Sequence, residues 1–279
     1  MSLRLHRFST VDVFEDAALP FLLAKEAEHN LFIAICGQIR EGRYTEFYLC
    51  TVEDDREIKA AAFRTPPFQL TLSCVADPAA VNLIARDAYE VYGAMSGAGG
   101  PKDAARSFAE EWQRLSGQKP ALAMQQRIYQ ATTAAAPATV PGEVRDATSD
   151  DRDLLIAWFR AFHDEVGGIM GDIEQNVDLR LRGGTGGLVV WCDDGAVVSM
   201  AGFGGPTRSG IRVGPVYTPN ELRGRGYASA CVGHLTRRLL DDGRRFVFLY
   251  TDLANPTSNS IYQKIGYRPV LDVDQYRFD

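Results

Sequence analysis

Between Gly214 and Ala230 the chain reads Gly-Pro-Val-Tyr-Thr-Pro-Asn-Glu-Leu-Arg-Gly-Arg-Gly-Tyr-Ala-Ser-Ala. No other stretch constrains the fold so tightly. Ile211 to Thr218 reads as a strand. Ala228, Cys231, Val232, Leu235 and Leu239 mark one face of a helix that stops at Gly243. Gly224 and Gly226 open that helix. The first-turn amides of a helix have no internal partners, and together with the helix dipole they make an anion site. Glycines there remove the Cβ atoms that would keep a phosphate off the backbone. Arg223 and Arg225 add positive charge suited to phosphate oxygens.

Three readings compete for this loop. A dinucleotide turn needs GxGxxG directly after the strand, but Ser229 replaces the third glycine and Thr218 to Leu222 lie between. A nucleoside-triphosphate loop needs Gly-Lys-Ser/Thr, which is absent. The plainest reading makes Gly224 and Gly226 ordinary helix punctuation. The surroundings have the same strand-and-helix rhythm. Glu143 to Thr148 is a short strand, and Ser149 or Asp150 caps a helix carrying Leu154, Leu155, Trp158, Phe159 and Phe162. Leu188 to Cys192 and Ala196 to Gly202 form a hairpin around Asp193-Asp194-Gly195. Phe246 to Tyr250 is a buried strand. Asn255 and Pro256 start a helix that carries Ile261, Tyr262 and Ile265 and stops at Gly266. Tyr267 to Phe278 closes with one or two strands.

The pattern Arg223-x-x-Gly226-x-Ala228 resembles the acyl-CoA pyrophosphate loop of the GNAT superfamily of N-acetyltransferases. Downstream, Asn255, Tyr262, Gly266 and Tyr267 match that family's N-x-x-A-x-x-x-Y-x-x-x-G-F/Y segment, with Ser258 in place of alanine. The gap between the motifs fits one helix and one strand. The resemblance implies a mixed, mostly antiparallel sheet flanked by helices, an α/β (α+β) fold. It implies acetyl-CoA as co-substrate and an amine of a small molecule or peptide as acceptor. The amides of Arg223, Gly224, Arg225, Gly226, Tyr227, Ala228 and Ser229 would hold the pyrophosphate. Val216, Tyr217 and Thr218 would lie along the pantetheine, one amide polarising the thioester carbonyl. Tyr262 would protonate the leaving thiolate, and Asn255 would bond the pantetheine. The plainer role of Tyr262 is a half-buried helix tyrosine, and that of Asn255 is a helix cap.

Amine attack needs a neutral amine, and an alkylammonium has a pKa of about 10, so a base is expected. Glu174 and Asp252 rank first. Asp252 ends the apolar strand, where α/β sheets tend to place ligands, although capping a turn is its plainer role. Glu165, Glu174 and His163 flank the Gly167–Gly171 stretch, a region that lines the acceptor site in the family. The plainer reading there is a solvated charged face.

The segment from Ala131 to Gly142 is Ala/Pro/Thr-rich and uncharged, and reads as a linker. It divides the chain into residues 1–130 and 143–279. The first part echoes the second: a hairpin at Glu46–Thr51 and Glu57–Arg64, strands at Phe68–Cys74 and Leu122–Tyr129, helices at Pro78–Glu90 and Ala104–Leu115. It has no glycine loop, so the expectation is two similar domains in tandem, the first a degenerate copy. The net charge of −6 argues against a nucleic-acid partner. Five unclustered cysteines argue against a disulfide framework or a zinc site. No apolar run spans a bilayer and no signal core is seen, so a soluble cytoplasmic protein is expected, with oligomerisation open. The alternatives are a non-catalytic acyl-CoA sensor and a transferase of longer acyl groups.

Overall fold

The computed structural model describes residues 2–135, 140–167 and 171–279. The chain runs β1 (Arg4–Arg7), α1 (Val11–Ala24), α2 (Asn30–Arg40), β2 (Tyr48–Asp54), β3 (Glu57–Arg64), β4 (Leu70–Leu72), α3 (Ala79–Tyr92), β5 (Gly97–Pro101), α4 (Lys102–Ser116) and β6 (Pro120–Ala131). It continues β7 (Glu143–Asp146), α5 (Arg152–Val166), α6 (Ile173–Leu181), β8 (Gly187–Asp193), β9 (Ala196–Gly204), β10 (Gly210–Tyr217), α7 (Tyr227–Asp241), β11 (Phe246–Asp252), α8 (Pro256–Ile265) and β12 (Arg268–Phe278). Short 3-10 turns at Ser149–Asp151 and Asn220–Leu222 precede α5 and α7. The same order of strands and helices therefore occurs twice.

Two compact units result, and they do not follow the chain's midpoint. The first contains Met1–Ile128, Asp252–Ala254 and Val270–Asp279; the second contains Tyr129–Thr251 and Asn255–Pro269. Each repeats one sheet pattern. In the first, β1, β2, β3 and β4 pair antiparallel in turn, and β4 and β5 are parallel. In the second, β7, β8, β9 and β10 pair antiparallel, and β10 and β11 are parallel. The mixed, mostly antiparallel sheet is the one the sequence led us to expect. The last ten residues, read as the end of the second half, instead give the first unit the strand beside β5, from Val273↔Pro101 to Arg277↔Gly97.

Alternation along the strands sends side chains to two cores on opposite faces of each sheet. In the second unit Val189 and Trp191 pack with α7, while Leu188 and Val190 pack with α5 and α6. On α7, Cys231, Leu235 and Leu239 are all but fully buried, and each large apolar side chain so buried contributes about 1.5–3 kcal/mol. In the first unit Cys50 and Val52 face α3 and α4, and Leu49 and Phe63 face α1 and α2. Cys36, Cys50 and Cys231 are buried, their thiols pushed up to about 12 by burial, and no cysteine is paired.

Several local readings change. Neither Ser149 nor Asp150 caps α5: both lie in the 3-10 turn that Thr148 caps, and Asp151 is the residue before the helix. Asp151 completes a capping box with Thr148, its Oδ2 accepting from the Thr148 amide at 2.8 Å. The stretch read as a linker is partly built into the second unit. Ala131 ends β6 and is buried, the Ala135 amide donates to Ile265 O at 2.8 Å, and Val140 packs on the core beneath α7. Ala136–Thr139 of that stretch, and Gly168–Met170 of the glycine stretch after α5, lie outside the described residues.

Candidate functional site

The site begins with a strand pair that opens. β10 and β11 are registered as parallel partners only from Gly210↔Phe246 to Arg212↔Phe248. Beyond that, β10 continues to Tyr217 and β11 to Asp252 with no further registered pair among the described residues. On its other side β10 stays bound to β9, with a bulge between Val213 and Val216 at the cis Gly214–Pro215 bond. A bulge turns a strand away from its line. The facing edges of β10 and β11 are thus left apart at Val216, Tyr217 and Thr218, where an extended ligand could pair with backbone. Ser199, missed by the sequence reading, pins this end. Its buried Oγ donates to Tyr217 O at 3.1 Å and meets Thr218 Oγ1 at 2.8 Å. No periodicity marks a serine with that task.

The chain then passes the Asn220–Leu222 turn into the glycine loop. Gly224 has φ +77° and Gly226 φ +87°, a left-handed region that favours glycine. Gly226 is the N-cap of α7, with no side chain capping the helix. The amides of Tyr227, Ala228 and Ser229 precede the first intrahelical bond, which Ala230 makes to Gly226 O at 3.0 Å. These bare amides, aligned with the dipole, are an anion site. Arg225 stands at the surface beside them, its guanidinium near Glu221 O at 3.4 Å. Tyr227 turns away and donates its hydroxyl to Asp193 Oδ2 at 2.5 Å.

Arg223 does other work than its pattern suggests. Its Nε donates to Thr218 O at 2.8 Å, and one terminal nitrogen meets both oxygens of Glu165 at 2.7 and 2.8 Å. The side chain therefore ties the loop to the end of β10 and to α5, leaving backbone amides for an anion. Glu165 is the second residue here that sequence reasoning gave no such role.

Tyr262 lies on α8 with its ring 5.9 Å from that of Tyr267. The Tyr267 hydroxyl is taken by Thr236 Oγ1 at 2.8 Å. Among the described residues the Tyr262 hydroxyl has no hydrogen-bond partner, and burial pushes it up to about 12. It therefore keeps its proton at any ordinary pH. Asn255 is the α8 cap, its Oδ1 accepting from the Ser258 amide at 3.0 Å. Its side-chain NH2 points from an exposed position.

The two carboxylates expected as bases are engaged. Glu174 sits in a charged cleft of about 720 Å³ between α5 and α6, 3.0 Å from Arg160 and 3.8 Å from Arg152. Asp252 is exposed, and its Oδ1 accepts from the Ala254 amide at 2.8 Å. It groups with Leu253 and Ala254 in the first unit. On α5, by contrast, His163 Nδ1 is buried without a partner, the sole such side-chain nitrogen or oxygen among the described residues. An unpaired buried polar atom costs about 1–3 kcal/mol, so this one calls for a ligand or water.

Among the described residues no group of His, Cys, Asp and Glu could hold a metal ion, and no helix is long and apolar enough to cross a membrane. A search of curated proteins finds no significant match. The profile of the acetyltransferase (GNAT) family matches residues 148–267. Solved structures resemble the chain over its whole length. A GCN5-related N-acetyltransferase from Sphaerobacter thermophilus superposes with TM-score 0.61 at 17% identity, covering 99% of this chain and 95% of that one. An acetyltransferase of the GNAT family from Colwellia psychrerythraea gives TM-score 0.59 at 13% identity, covering 99% and 100%. A tandem GNAT protein from the clavulanic acid biosynthesis pathway gives 0.55 at 12%, covering 99% and 97%. The splayed strands, the glycine loop and the downstream tyrosine all fall inside the profile match: residues 148–267 are an acyltransferase domain of the GNAT family, in a chain whose halves both take that family's fold.

Proposed function

We propose that the second unit binds acetyl-CoA and transfers its acetyl group to the amine of a small molecule or peptide, in the cytoplasm, by direct attack on the thioester. The observation that carries this is the opened β10–β11 pair, which leads straight to a helix N-terminus with bare amides. The loop from Arg223 to Ser229 would take the pyrophosphate on its backbone, and Val216–Thr218 would pair with the pantetheine arm. An amide of that strand end would stabilise the charge that grows on the thioester carbonyl. Asn255 would reach the arm with its NH2 group.

The amine must lose a proton before its lone pair forms the new C–N bond. Because Glu174 and Asp252 already have partners, the unpaired Nδ1 of His163 is the better acceptor of that proton, directly or through water. As the C–S bond breaks, the electron pair stays on sulfur and Tyr262 supplies its proton. The two proton transfers balance, and the products are the amide and free CoA.

Calorimetry with CoA and acetyl-CoA, joined to a thiol-release assay over an amine panel, tests the reading. Binding with amine-dependent release is expected, and His163→Gln should slow release without weakening CoA. No affinity for any form of CoA would refute it. The paired state of both expected carboxylate bases favours a second reading, a non-catalytic acyl-CoA sensor. In that case acetyl-CoA raises the melting temperature while no thiol is released. Comparing protection by acetyl-CoA and longer acyl-CoAs fixes the acyl length.

A further inference from the structure

Five arginines of the second unit pair with a carboxylate: Arg145 with Asp151, Arg152 with Asp178, Arg160 with Glu174, Arg223 with Glu165 and Arg238 with Asp146. Arg180 on α6 and Arg212 on β10 do not: among the described residues neither has a salt bridge. Arg180 donates only to neutral oxygens, Asn176 Oδ1 at 2.9 Å and Phe203 O at 2.8 Å. Burial and then the Arg212 charge pull its guanidinium down to about 10. Two cations held near one another, one of them largely desolvated, are costly unless an anion joins them.

Their position is informative. Arg212 alternates with Ile211 and Val213, both packed beneath α7, so it faces the opposite side of the sheet, where α6 brings Arg180. Gly202 lets the guanidinium lie close to the sheet. A Cβ there would be 3.0 Å from an Arg180 terminal nitrogen and 3.1 Å from Pro215 Cδ. Arg180 is therefore beside the bulge, next to the strand end assigned to the thioester. It is on the face away from the helix whose amides await the pyrophosphate.

We propose that Arg180 and Arg212 bind an acidic group on the acceptor, so that the amines acetylated here carry a carboxylate or phosphate. This rests on the acetyl transfer proposed above. The acid would sit between the two guanidinia, with the amine directed along β10 toward Val216–Thr218. Arg180 is held by Asn176 and Phe203 O and is prepositioned; Arg212 supplies the second charge.

The test uses the full chain and three product-like probes: N-acetylglycine, N-acetyl-O-phosphoethanolamine and the neutral N-acetylglycinamide. Calorimetry is run with and without CoA. At least one acid should bind about 10-fold or more tighter than the amide, as charge-assisted hydrogen bonds to two guanidinia require. The tighter acid tells carboxylate from phosphate. Arg212→Gln should abolish that preference while leaving CoA affinity and melting temperature close to the parent. Arg180→Lys, which keeps the charge but not the fork, should weaken it and serves if the other variant fails to fold. Equal affinity for acids and amide, or a preference unchanged in both variants, overturns the proposal. Loss of CoA binding with the acid preference intact would instead refute acetyl transfer and leave the anion site standing.

Discussion

Gly226→Ala is the sharpest probe of the loop. The residue has φ +87°, and a Cβ there would stand 2.8 Å from Val140 Cγ1. Holding a non-glycine residue in the left-handed region costs about 1–2 kcal/mol. Forcing a methyl against Val140, whose branching restricts how it can move aside, costs about another 1–3 kcal/mol. Gly224→Ala is the control, since φ is +77° but nothing lies within 4 Å of its Cβ. It carries the backbone cost alone. Both variants are compared by urea melts and by calorimetry with CoA. Gly226→Ala should be the less stable by about 1–3 kcal/mol, and its CoA affinity should fall about 10-fold or more, because relief of the clash displaces the first-turn amides. Adding Val140→Ala to Gly226→Ala should recover the excess and leave the backbone cost. Equal stability of Gly226→Ala and Gly224→Ala would remove the contact, and a CoA affinity in Gly226→Ala equal to the parent's would remove the pyrophosphate role.

Tyr262→Phe should lower kcat about 100-fold or more, the usual scale for general acid catalysis, with little change in CoA affinity. Because burial raises the hydroxyl to about 12, the protonated donor persists as pH rises through the free tyrosine value of about 10. A kcat that falls with a midpoint at or below about 10 in wild type and not in Tyr262→Phe would contradict this. Glu165 and Arg223 are both partly exposed, so a double-mutant cycle on their pair should give no more than about 1 kcal/mol. Each single variant should weaken CoA binding through the loop while the fold persists; unchanged affinity would remove the tether. In the first unit, His29 accepts from the Cys74 amide at 3.0 Å on Nε2 and contacts Leu22 O with Nδ1. Burial lowers it from 6.5 to about 4. Its folded value is depressed, so the stability it contributes is present above about 6.5 and lost as pH falls toward 4. The span corresponds to about 3 kcal/mol, and His29→Asn should flatten the loss in pH-dependent urea melts.

What was legible followed strong periodicity or loud punctuation. Cys231, Leu235 and Leu239 announced α7, and Asn255 with Pro256 announced α8. Asp194 and Gly195, both with positive φ, announced the β8–β9 turn. What was hidden depended on contacts distant in sequence. β5 reads Gly-Ala-Gly-Gly-Pro and lacks every mark of a strand, because a Cβ on Gly97 would meet Tyr276 O at 2.2 Å. Close backbone approach selected glycine there over β-branched residues. α6 carries Ile173 and Val177 as its buried residues, too few to set a period. α1 holds Pro20 inside it, which argues against a helix in any local reading. The roles of Ser199, Glu165 and Arg180 depend on partners 18 or more residues away, and no local rule registers them.

The duplicated fold also explains why the glycine loop occurs once. In the first unit β4 and β5 are parallel with α3 between them, as β10 and β11 are with α7. The start of α3 corresponds to the start of α7, yet its chemistry is reversed. There the Asp77 carboxylate accepts from the Ala79 amide at 2.9 Å and Pro78 stands at the cap. A carboxylate on a first-turn amide takes a bond that a phosphate could accept, and its charge repels a second anion. One first-turn amide is thus met from within the chain, whereas Gly226 has no side chain to offer. The corresponding helix start in the first unit has a carboxylate and a proline where the second has a glycine, with the surrounding order of strands and helices kept. The proposed acetyl transfer is accordingly assigned to the second unit, where the first-turn amides of α7, the opened strands and the Arg180–Arg212 pair occur together.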